Sequence, residues 1–126
     1  MDKSQALYHF WSRFGWEAID ELSSYDKGVI ESLEIQDRYI TYEEQIGSIG
    51  ETHALTASLW HRSTSWAEIE SKAAEIYAYL GEGGVKENYD GGQIWITRQN
   101  YRRMPDEGNY DMRRILFNIN AEYLSA

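Results

Sequence analysis

The sequence predicts an α+β fold. It is a two-layer domain with a mixed or antiparallel sheet of four to five strands, one main helix (about 65–80) packed on the sheet, and an N-terminal helix. Three observations carry this. Trp66, Ile69, Ala73, Ile76, Tyr77 and Leu80 recur at helical spacing and stop at Gly81. Two stretches, Leu55–Trp60 and Ile115–Tyr123, alternate apolar and mixed residues with a period of two. Asp90-Gly91-Gly92 separates two β-prone runs, which is a hairpin signal.

The elements follow in order. Leu7, Phe10, Trp11 and Phe14 fall at i, i+3, i+4 and i+7, so a helix is expected from about Ser4 to Phe14, ended by Gly15. Residues 16–37 are acidic and mix weak helical and loop signals, so a partly exposed connection is expected there. Tyr39–Glu43 is β-branched and aromatic and reads as a strand. A second strand, Thr52 to His61, follows a turn at Gly47–Gly50. Ser65-Trp66-Ala67-Glu68 matches a capping box, which starts the main helix at Ser65. Val85–Tyr89 and Gln93–Arg98 form the hairpin. Residues 99–111 read as a polar loop, and the last strand has Ile115, Phe117, Ile119, Ala121 and Tyr123 on its inner face. The strand–helix–strand passage over 53–98 admits a crossover and hence a parallel component. The whole chain, 1–126, reads as a single domain: an N-terminal helix and acidic connection over 1–37, then sheet plus main helix over 38–126.

Composition bounds the function. The chain has 126 residues and a net charge of −9. Residues 1–97 hold 17 acidic and 7 basic side chains, whereas residues 98–126 hold 4 and 5. Such a balance argues against a general nucleic-acid binder, whose affinity rests on Lys and Arg neutralising phosphates. It also argues against an anionic-membrane binder. No cysteine is present, which removes disulfides, thiol nucleophiles and cysteine-based zinc sites. The N-terminal residues lack the pattern of a signal peptide, and no apolar run is long enough to span a membrane. Synthesis in a cytoplasm is therefore expected. Aromatic residues reach 14%, enough to stiffen a small core or to anchor an interface.

Catalytic constellations do not emerge. His53 and His61 lie eight apart on one expected strand, roughly 26 Å at about 3.3 Å per residue, too far for one metal. Glu43-Glu44 and Asp106-Glu107 are sequence neighbours, which points paired carboxylates to opposite strand faces. Gly81-Glu82-Gly83-Gly84 closes a helix, whereas phosphate loops open one. Ser63, Thr64 and Ser65 near His61 lack a nucleophile elbow. No catalytic, cofactor-binding or metal-binding residue is therefore assigned, and no cofactor is expected. The remaining signals are charge asymmetry, aromatic content and two polar loops, 44–52 and 99–111. They suit self-association, with Glu44, Ser48, Glu51, Arg98, Arg102, Arg103, Asp106 and Arg113 as candidate interface residues.

Several runs sharpen this. They are Tyr39-Ile40-Thr41-Tyr42-Glu43, the passage Leu55-Thr56-Ala57-Ser58-Leu59-Trp60-His61-Arg62-Ser63-Thr64-Ser65-Trp66, the hairpin Asp90-Gly91-Gly92-Gln93-Ile94-Trp95-Ile96, and the close Met112–Tyr123. Together with Phe10–Gly15 they resemble the tail-terminator, or tail-completion, proteins of long-tailed bacteriophages and prophages, over about residues 39–124. The acidic, proline-free stretch 16–37 departs from that pattern. The resemblance implies a non-enzymatic structural protein of the virion tail, present in the host cytoplasm during assembly. It implies a hexameric ring of copies on the tail tube that ends tube polymerisation and offers a joining surface to the head-completion or connector protein. DNA would pass the lumen only as cargo. Other readings stay open: a different head–tail connector (adaptor or stopper), a small-molecule-binding or enzymatic domain with Trp60 and Trp95 lining a pocket, or an acidic DNA mimic.

Overall fold

The computed structural model describes residues 1–26, 28, 37–105 and 111–125. In chain order the elements are α1 (Lys3–Ser12), β1 (Glu17–Asp20), a 3-10 turn (Ser23–Tyr25), β2 (Arg38–Tyr42), β3 (Thr52–Arg62), α2 (Ala67–Leu80), β4 (Val85–Tyr89), β5 (Gly92–Met104) and β6 (Met112–Ser125). The six strands form one sheet in the order β1-β2-β3-β6-β5-β4. β1 runs parallel to β2 and every other neighbouring pair is antiparallel.

This corrects the expected architecture. The fold is mostly β, a six-stranded mixed sheet curled into a half-barrel around two helices, and not four or five strands under one main helix. Two segments account for the difference. Glu17–Asp20 has two apolar residues among carboxylates, too few for a period to show, yet it adds the sixth strand and the parallel pair. Residues 99–104 are polar enough to read as loop, yet they extend β5 to 13 residues because, past a register shift at Gln99, β6 pairs with Asn100–Met104. The strand–helix–strand passage does not supply the parallel pair, since β3 and β4 end up separated by β6 and β5.

The core lies in the concave face. From β6, Ile115, Phe117, Ile119, Ala121 and Tyr123 are all fully buried, joined by Leu55, Ala57 and Leu59 of β3 and Ile94 and Ile96 of β5. Both helices pack there. α2 contributes Ile69, Ala73, Ile76 and Leu80, and α1 contributes Ala6, Leu7, Phe10 and Trp11. Phe117 is the hub: Trp11 meets it edge-on at 6.3 Å, and Tyr101 stacks on it at 5.4 Å. Phe10 of α1 and Phe14 just beyond it also reach Tyr79 of α2.

Local chemistry fixes the ends of the elements. α1 opens with a capping box one turn ahead of its apolar stripe: Asp2 accepts from the Gln5 N–H (2.7 Å), and the Gln5 side chain accepts from the Asp2 N–H (2.8 Å). The box expected at α2 is incomplete. Ser65 Oγ accepts from the Ala67 N–H at 3.1 Å, but Glu68 turns to Arg38 and His61. Gly81 ends α2 at φ 62°, with its N–H on the Tyr77 carbonyl. In the β4–β5 turn Gly91 sits at φ 101°, and any Cβ on Gly92 would strike the Leu124 carbonyl and the Tyr89 ring. Among the described residues no helix is long and apolar enough to cross a membrane.

Candidate assembly surfaces

The sequence-derived interface residues divide into two sets at opposite ends of the sheet. Glu44, Ser48 and Glu51 belong to the loop between β2 and β3, which is bonded to the C-terminal part of β6. There Tyr123 exchanges backbone bonds with Gly50 and Glu51, and its hydroxyl donates to the Gln45 carbonyl at 2.6 Å. Arg103 and Arg113 lie at the other end, with Arg113 ten residues back along β6, about 33 Å at 3.3 Å per residue. Arg98 lies between, and Asp106 is outside the described residues. One copy therefore cannot bring both sets to a single patch.

Most of the arginines are tied to α2. Arg98 lies over the Tyr77 ring at 3.8 Å and donates to the Tyr77 carbonyl at 3.0 Å, a second donor to an oxygen that also accepts from the Gly81 N–H. Arg103 donates to Glu70 at 2.5 Å, and Arg113 donates to the Thr64 carbonyl at 2.9 Å. Both guanidiniums lie against Trp66, at 4.7 and 5.4 Å, an arrangement worth about 0.5–1 kcal/mol per contact when exposed. Arg102 differs. It is exposed on the outer face opposite Leu116 and makes no hydrogen bond or ion pair with any described residue.

At the other end the loop is ordered by polar contacts. The Glu51 carboxyl is held below the usual carboxylate range, first by the Ser48 backbone N–H and then by His53, whose Nε2 lies 3.0 Å away. Gly47 is buried against His53 and Tyr123, and Lys3 donates to its carbonyl at 2.8 Å. Ile46 and Ile49 remain exposed beside it, a small apolar surface at this end.

The convex face of the sheet carries a half-buried aromatic and polar surface. Tyr39 stacks on Trp60 at 6.0 Å, and Trp60 Nε1 donates to Thr41 Oγ1 at 3.0 Å. Arg114 covers Trp60 at 4.8 Å and donates to Ser58 Oγ at 3.0 Å. Further along, Asn118 donates to Asn100 (2.7 Å), and Gln99 donates to Asn120 (3.1 Å). Desolvation raises the Tyr39 hydroxyl above its ordinary value, with Arg62 pulling the other way. The sequence signal for this face is the outward set of the period-two strands, a mixture of polar and aromatic residues.

A pocket-lining role for Trp60 and Trp95 finds no support. Both lie on the convex face, and Trp95 Nε1 donates to the Gly83 carbonyl at 2.8 Å. A shallow pocket of about 370 Å³ lies elsewhere, between Lys3, Ile46 and Tyr89. Its charged groups are already engaged: Asp2 caps α1, Lys3 holds Gly47, and Asp90 pairs with the N-terminal amine. His53 and His61 sit on one strand with separate carboxylate partners, Glu51 and Glu68, and no group of metal-ligating side chains gathers among the described residues.

No protein-family model and no curated protein matches the chain. Its fold has a counterpart. A chain from a structure entitled "Virion of native gene transfer agent (GTA) particle" superposes with a TM-score of 0.59 at 17% identity, over 95% of this chain and 90% of that one. The likeness is one of fold, and it extends over nearly the whole of both chains.

Proposed function

We propose that this chain is a structural component of a phage-like virion. More finely, we propose that it caps the tail tube as a ring of identical copies, ends tube polymerisation and presents the surface that joins the head side. The observation that carries the coarser reading is the near end-to-end match in fold with a virion chain. The finer reading rests on the resemblance of residues 39–124 to tail terminators. It is also consistent with the two sets of candidate contact residues at opposite ends of the sheet, because a ring wedged between tube and connector needs distinct surfaces. The proposed role is non-enzymatic: Trp60 and Arg114 of the convex face, Arg98, Arg103 and Arg113 of the arginine cluster, and Asp2, Lys3 and Asp90 of the pocket spend their polar groups on internal contacts.

Deleting the gene and imaging the particles tests both levels. A terminator's loss leaves tails of uncontrolled length. Tails of normal length that fail to join heads would assign the chain to the adaptor or stopper position instead. Particles of normal form, or a chain absent from purified particles by mass spectrometry, would refute a virion role.

A further inference from the structure

The half-barrel leaves two strand edges open. β4 pairs only with Gly92–Ile96 of β5, so Thr97–Met104 are paired on the β6 side alone. β1 is paired on the β2 side alone. The outer side of β4, by contrast, faces α1, whose Arg13 and His9 reach Glu87 and whose leading amine reaches Asp90. No backbone hydrogen bond among the described residues occupies the outward side of β1 or of Thr97–Met104. Unpaired N–H and C=O groups on an edge are a template for another strand.

We propose that these two edges are the halves of one contact: β1 of one copy adds as a strand beside Thr97–Met104 of the next. The inference rests on the ring reading above and names the surface that would build it. Strand direction agrees. β1 is parallel to β2, and the pairs β2–β3, β3–β6 and β6–β5 are antiparallel, so β1 and β5 point in opposite directions. A second copy brought alongside without turning its sheet over therefore offers β1 antiparallel to β5. Charge agrees too. β1 and the turn after it carry Glu17, Asp20 and Glu21, while the open stretch of β5 carries Arg98, Arg102 and Arg103. Of these, Glu17 and Arg102 are exposed and make no hydrogen bond or ion pair with a described residue. Side-chain facing agrees as well. Ala18 is buried on the concave side, which puts Glu17 and Ile19 on the convex face, the face of Asn100, Arg102 and Met104. Glu17 then falls opposite Arg102 or Met104.

Charged edges also keep monomers apart, but that purpose is served by like charges. Opposite charges on the two open edges repel each edge from its own kind and admit the other, which selects a head-to-tail contact, the kind of contact from which a closed ring is built. A four-residue strand is a weak contact alone, and closure of the ring multiplies it.

The chain's lack of cysteine makes a cross-linking test clean. Glu17→Cys/Arg102→Cys and Glu17→Cys/Met104→Cys chains, oxidised alone and on purified tail tubes, should give a ladder of multimers on a non-reducing gel in at least one register. Each single-cysteine chain should stop at a dimer. In sedimentation, Arg102→Glu and Glu17→Arg should each weaken self-association roughly tenfold or more, and the double swap should restore it, with circular dichroism confirming the fold. No ladder in either register, or single reversals without effect, or a wild-type chain that stays monomeric both free and on tubes, would overturn the edge contact. A wild-type ring that cross-links in solution but ignores tube ends would sink the tail-capping role and leave the edge contact standing.

Discussion

Replacing Arg13 by alanine should loosen α1 from the rest of the protein. Glu87 on β4 is 7% exposed, and its carboxylate is held by Arg13 Nη2 at 2.5 Å and approached by His9 Nδ1 at 3.3 Å. A hydrogen bond to a charged group contributes about 1.5–3 kcal/mol, and stripping one partner from a buried pair costs about 3–5 kcal/mol. Arg13 is itself about a quarter exposed, with a relative side-chain accessibility of 27%, and His9 remains beside the carboxylate, so the lower range applies. Loss of the Tyr79 contact, where the guanidinium lies 4.8 Å from the ring, adds about 0.5 kcal/mol. The expected cost is about 2–3 kcal/mol. With an unfolding entropy of about 2.1 cal/mol/K per residue, a chain of 126 residues loses about 4 °C of Tm per kcal/mol, so Tm should fall by about 8–12 °C. Urea titration of Arg13→Ala, Glu87→Ala and the double variant should give a coupling of about 1–2 kcal/mol. Hydrogen exchange should show α1 amides speeding up more than those of β3 and β6. A loss under about 0.5 kcal/mol, or a coupling near zero, would refute the view that this ion pair fastens α1 to the edge of the sheet.

Three further outcomes follow from the packing. Phe117→Ala removes the ring on which Trp11, Tyr77 and Tyr101 converge and should cost about 3–5 kcal/mol in urea unfolding. Asp2→Ala breaks the capping box of α1 and should cost about 1 kcal/mol, whereas Asp2→Asn should keep most of it. Burial raises the Tyr39, Tyr42 and Tyr123 hydroxyls above their ordinary value of 10.0, so the unfolded chain ionises them first. Their contribution to stability should be fully present below about pH 10 and decline as pH climbs from there through the raised folded values. Ultraviolet titration should show a lagging group of tyrosines that joins the rest on unfolding.

What the residues disclosed before any coordinates depended on how much of each strand faces the core. β6 was legible because its inward residues are apolar at every second position and its outward ones are not. α2 was legible from its stripe, and the β4–β5 hairpin from Asp-Gly. β1 was not, because an edge strand of four residues with one buried alanine gives no period to read. The distal half of β5 was hidden for another reason. There the inward side chains are Tyr101 and Arg103, and the packing comes from rings and an arginine stem, Tyr101 on Tyr77 and Phe117 and Arg103 on Trp66, which a hydrophobic pattern does not register. The candidate contacts shared that limit. A cluster of arginines can be seen in a sequence, but its division into staples on α2 and one unengaged Arg102 is decided by where the helix lies.

β6 occupies the middle of the sheet although it comes last of these elements along the chain. During translation the strands on either side of its future place emerge first, and no strand pairing joins β3 to β5 until residues 112–125 clear the ribosome. Until then the two part-sheets share the helix packed on both, and a message broken before that point yields a product whose two inner edges have no strand to close them.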